Sequence, residues 1–317
     1  MSFGPRVVVI GRAVRDLYVL VDHYPAAGQE ARIDRQAEFV GGSALNIAVT
    51  LGALGVEPHL VACVGDDPAG ARCLEHLAER GLAADLVTVI PASPTATSIS
   101  IVDPAGERTF LTAAGPARGW SEAAVVARMQ ALDPGIVVVS GYALADPATA
   151  AETPGVIRAA REAGRTLVFD PGPAIGLADA SVLAQVIKGT RWLLANTEEV
   201  ETLARMLGEA DVTARLRAPG GVVIKAGARG ATMHRGGIVT HAPGMPVEVV
   251  DTTGAGDAFA AGFVAALAVG RSPEDALVFA NACGAWATTF LGPHGTPDVQ
   301  ALERDAGIAL DGAGLPR

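Results

Sequence analysis

The amino-acid sequence predicts an α/β fold in which a doubly wound, mostly parallel sheet is covered by helices on both faces. Strand-like apolar runs alternate with helical segments along most of the chain, which is typical of such sheets. Half of the residues are hydrophobic but only 4% are aromatic, so alanine, valine, leucine and glycine build the core. A chain of this length suits a single large domain, residues 1–317. The candidate central strands are residues 7–10, 59–64, 136–140, 167–169, 192–195 and 222–224.

Three helices are bounded by capping residues at their starts and by glycines at their ends. An aspartate or serine followed by proline favours a helix start, and glycine favours a helix end. Pro154 interrupts the second of these helices and should kink or split it. The predicted helices run from Asp67 to Gly81, from Asp146 to Gly164 and from Ser272 to Gly292.

Two segments break the alternation of strands and helices. Residues 17–40 follow the first strand without an obvious helix, and residues 95–115 contain two short strand-like runs. These runs, residues 98–102 and 108–112, are joined by the turn sequence Asp103-Pro-Ala-Gly106 and predict a hairpin. We expect residues 17–40 and 95–115 to form a small β-sheet lid over the ligand-binding edge of the main sheet.

Composition excludes several classes of function. The formal net charge of −10 argues against a nucleic-acid partner, which would require a basic face. No apolar run reaches the roughly 18 residues of a membrane span, and no signal-peptide pattern precedes the first strand. No two of the six histidines are four residues apart, so no zinc site is predicted. The cysteines lack Cys-x-x-Cys spacing and are expected to be reduced, as in a soluble cytoplasmic protein: Cys63, Cys73 and Cys283.

The most informative segment is Asp251-Thr-Thr-Gly-Ala-Gly-Asp257-Ala-Phe259. It connects a predicted strand at residues 247–250 to a predicted helix at residues 258–269. The amides of residues 254–257 therefore lie at a helix N-terminus, where free N–H groups and the helix dipole favour a phosphate. Asp257 is suited to act there as a general base towards an acceptor hydroxyl. The alternative is that Asp257 only caps the helix.

A second glycine-rich turn that leads directly into a predicted helix lies near the other end of the chain. Its sequence is Gly41-Gly-Ser-Ala-Leu-Asn46-Ile-Ala48. Gly41 and Gly42 let the backbone approach a ligand, and a helix begins directly after them. Asn46 lies one turn beyond Gly42, on the helix face nearest the glycines. The alternative is that Asn46 is a solvated or capping residue.

Polar residues also follow two of the predicted strands. Asp16 comes just after the first strand, where a carboxylate can hold sugar hydroxyls, although an aspartate in a turn or helix cap would look the same. Asn196 and Glu199 follow the strand at residues 192–195. Because they are three residues apart at a helix start, their side chains lie on the same face and can order water around a magnesium ion. An ordinary helix cap at Thr197 is the alternative.

The segment Lys225-Ala-Gly-Ala-Arg-Gly230 leaves another strand at its C-terminal end. Its glycines permit close backbone approach, and Lys225 or Arg229 can meet nucleotide phosphates. A plain β-turn with solvated charges explains this segment nearly as well. All of these segments follow strands, however, so one crevice at the sheet edge would gather them.

These segments resemble the signatures of the ribokinase-like, PfkB-type carbohydrate kinases. The segment from Gly41 to Ala48 matches the first signature, and the segment from Asp251 to Asp257 matches the second, in the same order and separation. The segments beginning at Asn196 and Lys225 resemble the magnesium-associated and ATP-binding segments of the family. The resemblance covers nearly the whole chain.

The resemblance implies an ATP-dependent kinase that transfers the γ-phosphate to a hydroxymethyl group of a sugar or sugar-like molecule. Asp257 would be the catalytic base, and the anion hole would consist of the amides of Gly254, Ala255, Gly256 and Asp257. The acceptor would be bound by Asp16, Gly41, Gly42, Asn46 and Asp257. ATP would be bound by Asn196, Lys225, Gly227, Gly230, Gly254, Gly256 and Asn281.

The resemblance also implies metal ions and an oligomer. Glu199 would bind magnesium through water. Asp251 and Thr253 match positions that bind a monovalent cation, commonly potassium, in some family members. The β lid would form the contact of a homodimer.

The acceptor is less determined, because the sequence departs from ribokinases near the acceptor site. Ser43 stands where ribokinases usually carry lysine, and Gly115-Pro-Ala117 stands where they carry Gly-Ala-Asn. A nucleoside kinase is the nearest alternative, but the lid hairpin at residues 95–115 has no aromatic residue apart from Phe110 to pack on a nucleobase, which favours a sugar. A phosphorylated sugar is the third candidate acceptor, and Arg12 and Arg108 are the cations available to bind its phosphate. Outside kinases, the alternative is a non-catalytic sensor of sugars or nucleotides.

Overall fold

The computed structural model describes residues 5–105, 108–116, 119–208, 220–293 and 298–308, which form two β-sheets flanked by helices. The strands of the main sheet are β1 (Arg6–Ile10), β4 (Glu57–Gly65), β5 (Val87–Ile90), β8 (Ile136–Ser140), β9 (Thr166–Asp170), β10 (Trp192–Asn196), β11 (Gly221–Lys225), β12 (Ala231–Arg235) and β13 (Ile238–Ala242). Those of the smaller sheet are β2 (Val14–Val21), β3 (Ile33–Gly41), β6 (Thr97–Val102) and β7 (Arg108–Ala113).

The main sheet has the order β13-β12-β11-β10-β9-β8-β1-β4-β5. The strands from β5 to β11 pair in parallel, and β12 and β13 add an antiparallel edge. From β1 the chain proceeds to β4 on one side and to β8 on the other, so the winding reverses between β1 and β8. Ligands of doubly wound sheets bind at the carboxyl ends of the strands beside such a reversal.

The smaller sheet has the order β3-β2-β6-β7. Strands β2 and β3 form one antiparallel pair, β6 and β7 form another, and β2 joins them by parallel pairing with β6. The turn residues 106–107 between β6 and β7 lie outside the described residues. The prediction of a doubly wound sheet with an additional small sheet is confirmed.

The helices are amphipathic or buried segments, and those predicted to begin at Asp67, Asp146 and Ser272 do so. The side chains of Asp67 and Asp146 each accept a backbone hydrogen bond at a helix start, and Pro154 lies in the first turn of the last of three short helices, so the predicted split occurs. The helices are α1 (Ser43–Ala53), α2 (Pro68–Glu79), α3 (Glu122–Leu132), α4 (Tyr142–Ala145), α5 (Pro147–Ala150), α6 (Thr153–Glu162), α7 (Ala180–Gly189), α8 (Thr197–Leu207), α9 (Ala255–Ala268), α10 (Pro273–Ala287) and α11 (Val299–Ala306).

The core lies on both faces of the main sheet. On strand β1, Val7 and Val9 belong to the layer that contains α1, α9 and α10, whereas Val8 and Ile10 belong to the layer that contains α3, α6 and α7. All four side chains are fully buried. A strand buried on both faces is continuously apolar, which explains why these runs are recognisable in the sequence. No helix within the described residues is long and apolar enough to cross a membrane.

One predicted strand and one predicted helix end were wrong. Residues 247–250 do not form a strand: Val249 and Val250 are about 60% exposed, and the amide of Val250 bonds to the carbonyl of Thr288 at the end of α10. A β-branched run favours a strand only where a sheet edge can pair with it. The helix predicted to end at Gly292 stops at Ala287, because the hydroxyls of Thr288 and Thr289 bond to its last carbonyls.

Candidate active site

Asp257 is the third residue of α9, and its carboxylate does not cap that helix. The cap position is held by Gly254, whose φ of 76° is the left-handed conformation that favours glycine. One oxygen of Asp257 accepts a hydrogen bond of 2.7 Å from the hydroxyl of Ser43, and the other accepts one of 2.7 Å from the amide of Asn46. Helix α1 therefore holds the carboxylate, and the interpretation of Asp257 as a simple cap was wrong.

Burial raises the pKa of Asp257 to about 7. The nearby charge of Asp170 also raises this pKa, whereas the hydrogen bonds from Asn46 and Ser43 and the charge of Lys225 lower it. Desolvation outweighs these stabilising contacts because the carboxyl is largely removed from water. A carboxyl with a pKa near neutrality is suited to accept a proton at physiological pH.

The first turn of α9 presents backbone amides beside this carboxylate. The amide of Ala255 bonds to the carbonyl of Thr252 at 3.3 Å, but the amides of Gly256 and Asp257 have no partner among the described residues. Unpaired amides at a helix N-terminus favour an anion. Two of the predicted amides are therefore available to a phosphate next to Asp257.

Lys225 lies at the end of β11 and approaches the same turn. A Cβ atom on Gly256 would lie 3.6 Å from the Lys225 Nζ atom, which itself donates to a carboxylate oxygen of Asp170 at 3.0 Å. Burial lowers the pKa of Lys225, but the charges of Asp170 and Glu199 outweigh it and raise this pKa above its ordinary value. The ammonium is 14% exposed and stays charged, so the alternative of a solvated turn lysine was wrong. Arg229, by contrast, is exposed.

Asn196 and Glu199 form a reciprocal capping box at the start of α8. The Asn196 side chain accepts from the amide of Glu199 at 2.8 Å, and the Glu199 carboxylate accepts from the amide of Asn196 at 2.8 Å. The cap is Asn196, not Thr197. Burial raises the pKa of Glu199, although the charge of Lys225 opposes this shift. Glu199 is thus a buried carboxyl beside the lysine, at the edge where β10 and β11 end.

The turn from Gly227 to Gly230 follows β11 and keeps the backbone compact. Gly230 has a φ of 87°, and a Cβ atom there would lie 2.1 Å from the carbonyl oxygen of Ala242. Gly227 has a φ of 57° and open space around its Cα atom. Gly230 is therefore required by packing, whereas Gly227 leaves room for a ligand.

Asp16 lies in β2 of the smaller sheet and not in a turn or a helix cap, so that alternative was wrong. A Cβ atom on Gly41 would lie 1.8 Å from an Asp16 oxygen, and one on Gly42, where φ is 99°, would lie 2.5 Å from the carbonyl oxygen of Arg12. Burial raises the pKa of Asp16 to about 6, opposed by a hydrogen bond from Ser98 and the charge of Arg12. The glycine pair therefore makes room for the first loop and for Asp16.

Asp251 is 2% exposed and organises the turn before α9. One of its oxygens accepts from the amide and the hydroxyl of Thr253, and the other accepts from the amide of Gly292 at 2.9 Å. The hydroxyl of Thr253 also forms a hydrogen bond with Tyr18 of β2. The turn is thereby attached to the smaller sheet.

Asn281 lies in α10, with its amide bonded to backbone. Its Nδ2 atom donates to the carbonyl oxygens of Ala242 at 2.9 Å and Pro243 at 3.2 Å. The side chain is 7% exposed. It connects α10 to the end of β13 in this structure, and its contact with an adenosine group stays a prediction.

Sequence reasoning missed two residues that touch this site. Ser43 was noted only as a departure from ribokinases, yet it donates to Asp257. Asp170 was not singled out, yet it pairs with Lys225. Asp170 is the last residue of β9, so the argument applied to other strand ends would have found it. The side chain of Arg108 lies outside the described part of the structure.

The comparisons with known proteins identify the family of this chain. The family described as pfkB family carbohydrate kinase matches residues 5–298. An ATP-dependent ribose-1-phosphate kinase from Halopiger xanaduensis is 34% identical over 301 residues, which cover 94% of this chain and 96% of that protein. A nucleoside kinase from Methanothermobacter thermautotrophicus is 26% identical over 282 residues, which cover 89% of each.

Solved structures share the fold. The crystal structure of a ribokinase from Thermotoga maritima superposes with a TM-score of 0.81 at 24% sequence identity. The match covers 95% of this chain and 99% of that one. The two-sheet architecture described above is therefore the ribokinase-like fold.

Proposed function

Because the chain belongs to the pfkB family of carbohydrate kinases and is an ATP-dependent carbohydrate kinase, we propose that Asp257 is its general base. The observation that carries this proposal is a carboxyl with a pKa near 7 beside two unpaired amides at the start of α9. The acceptor oxygen bonds to the γ-phosphorus of ATP while the bond to the ADP oxygen breaks. The hydroxyl proton passes to Asp257.

The anion hole consists of the first-turn amides of α9, including Gly254, Ala255, Gly256 and Asp257. Amides that already point at the developing charge need no reorganisation during transfer. Lys225 adds a fixed positive charge next to Gly256. Asn196, Gly227, Gly230 and Asn281 extend the ATP site along the ends of β10 and β11.

The acceptor is a sugar or sugar-like molecule whose hydroxymethyl group faces Asp257. Asp16, Gly41, Gly42 and Asn46 hold its other hydroxyls. The support is that Asn46 donates to Asp257 and that Asp16 lies against Gly41. The relative named as a ribose-1-phosphate kinase makes a pentose the leading candidate.

Magnesium accompanies ATP and fits the region of Glu199. Both oxygens of Glu199 already accept hydrogen bonds from Asn196, so this carboxylate suits a contact through water better than direct ligation. Bound magnesium would reduce the negative charge of the phosphates. Asp251 and Thr253 are the candidates for a potassium site, since Asp251 is a buried carboxylate close to α9.

The chain acts as one domain, with the smaller sheet as its lid, and forms a homodimer through that lid. Exposed apolar side chains on the lid, Leu20 and Phe110, support the dimer. The free cysteines Cys63, Cys73 and Cys283 suit the reducing cytoplasm, where ATP is available.

Replacing the base tests the proposed function. The change Asp257→Asn should reduce ADP release with a pentose acceptor by about 100-fold or more, because general base catalysis contributes about that factor. ATP binding, measured by calorimetry, should persist. The matched control is Asp34→Asn, an exposed lid carboxylate, which should keep normal turnover. Near-normal turnover by Asp257→Asn would exclude the base assignment.

A further inference from the structure

Arg12 is a largely buried guanidinium that makes no hydrogen bond to any described residue. It follows β1 directly, after Gly11, and its side chain is 16% exposed. Within the described part of the chain, its one ionic contact joins its Nε atom to an Asp146 oxygen at 3.6 Å, which is longer than a hydrogen bond. Arginine offers five N–H donors in a planar fork. Such a group has unused capacity to bind an anion.

The position of Arg12 places it beside the acceptor site. Strand β1 pairs in parallel with β8, with Ile10 opposite Val139, so Arg12 and Tyr142 emerge at the same edge. This is the point where the sheet reverses its winding. The carbonyl oxygen of Arg12 also lies against Gly42. Arg12 is therefore a direct neighbour of the residues proposed to hold the acceptor.

A cleft opens around this guanidinium. Its enclosed space is about 10 Å³, which is roughly the volume that one water molecule needs. Its walls are the loop after β1, the segment that leads into β6, the loop after β7 and the start of α5, including Gly11, Ala96, Gly115, Asp146 and Thr149.

The charges around the cleft show why an anionic acceptor would need the Arg12 guanidinium. Asp16 and Asp146 both lie near Arg12, and an anionic acceptor would be repelled by them without a cation. Lys225, the cation that we propose for the ATP site, is engaged with Asp170. Burial, together with the charge of Asp257, raises the pKa of Tyr142 to about 12, although the charge of Arg12 lowers it, so this neighbour stays neutral. Arg12 is thus positioned to supply the positive charge.

We propose that Arg12 binds an anionic group, a phosphate monoester, that the acceptor carries at the end remote from the hydroxymethyl group. This inference rests on the proposed function, since it assigns a substrate class to the same site. Arg12 selects phosphorylated sugars over neutral sugars and nucleosides. A planar guanidinium suits a phosphate because two parallel hydrogen bonds form at once.

The test compares acceptors and arginine variants. ADP release is measured with ribose 1-phosphate, ribose, inosine and a sugar acid. Wild-type kcat/KM should be highest for ribose 1-phosphate. Arg12→Gln should lower kcat/KM for this acceptor by about 10- to 100-fold, with neutral acceptors changed less than about 3-fold, because charge-assisted hydrogen bonds are lost. Arg12→Lys should recover part of the loss.

The matched control is Arg6→Gln, the same change at the opposite end of β1, which should alter no acceptor. A wild-type preference for a neutral acceptor, or for the sugar acid, overturns the inference while leaving the kinase assignment intact. An equal effect of Arg12→Gln on all acceptors also overturns it. If no acceptor supports ADP release, the proposed function itself fails. Should Arg12→Gln not fold, Arg12→Lys and the wild-type preference still decide the question.

Discussion

The carboxylate of Asp257 is subject to opposing effects within a few ångströms. Two hydrogen bonds of 2.7 Å stabilise its charged form, yet burial raises its pKa to about 7. Ser43 and Asn46 orient the group without making it a weak base. This balance suits proton transfer near neutral pH, because a base works best when its pKa is close to the working pH.

The same pKa predicts a cost in stability. An unfolded aspartate has a pKa of about 4, so between pH 4 and about 7 the folded wild type binds more protons and its free energy of unfolding falls as pH rises. Asp257→Asn lacks this titration. We expect the difference in Tm, variant minus wild type, to be larger at pH 8 than at pH 5. Calorimetry at both pH values measures it, and a flat or falling difference would contradict the raised pKa.

Lys225 shows a complementary effect at the residue scale. Burial alone would discharge an ammonium, but Asp170 and Glu199 raise its pKa above the ordinary value. The cost of burying the charge is offset by a 3.0 Å ion pair. The site thereby keeps a permanent positive charge next to the α9 amides.

At the scale of elements, the two glycine-rich turns bring α1 and α9 together. Each helix starts directly after a glycine with positive φ, Gly42 before α1 and Gly254 before α9. Because α1 begins directly after Gly42, its first-turn residues Ser43 and Asn46 lie within hydrogen-bond distance of Asp257 in α9. Two turns at opposite ends of the chain therefore build one site.

The turn before α1 allows a direct test. Gly42→Ala adds a Cβ atom 2.5 Å from the carbonyl oxygen of Arg12, at a φ of 99°. We expect kcat/KM for the acceptor to fall by about 10-fold or more, since small displacements of positioned groups cost that much, while ATP binding changes little. Turnover assays with titrated acceptor and a calorimetric ATP titration measure both.

Gly28→Ala is the matched control for strain. Gly28 also has a positive φ, 83°, but its added Cβ atom would meet nothing within 4 Å. This variant bears a similar backbone cost without the clash. Equal losses of activity in the two variants would show that strain, and not the contact with Arg12, causes the effect.

At the scale of the whole molecule, the smaller sheet, which we propose to be a lid, leaves apolar side chains exposed. Asp16, Tyr18 and Leu20 lie on one face of β2, because alternate residues of a strand share a face. Phe110 shares that face, since it lies opposite Ser100, which lies opposite Tyr18. Leu20 and Phe110 are 39% and 58% exposed. A second copy of the chain is the proposed cover.

Phe110→Glu tests the dimer. A charge at the centre of an apolar contact is unfavourable, so sedimentation velocity should show a shift from dimer to monomer. The control is Val239→Glu, a similarly exposed apolar residue on β13, 61% exposed, which should leave the dimer unchanged. A monomeric wild type would contradict the lid as a dimer contact.

Much of the main sheet, and several residues that the fold brings together at the candidate site, could be predicted from the sequence. The six predicted central strands all occur, because strands buried on both faces are continuous apolar runs. The strand predicted at residues 247–250 failed, because its β-branched residues find no sheet edge in the fold. Site residues were recognisable where a glycine turn or a strand end marked them, as for Asp257 and Lys225. Ser43 was missed because nothing local distinguishes its role, whereas Asp170 was missed although its position at the end of β9 marked it.

The sequence by itself determined the α/β class, the helix caps and the two glycine-rich turns, since these depend on periodicity and on backbone conformations local to a few residues. The tertiary structure alone decided which groups meet. Ser43 and Asp257 are 214 positions apart, and Lys225 and Asp170 are 55 apart. The pKa of Asp257 and the surroundings of the Arg12 guanidinium, whose ionic contact is with Asp146, also depend on burial and on distant neighbours. Distance along the chain carries no information about such contacts, because folding brings these residues together.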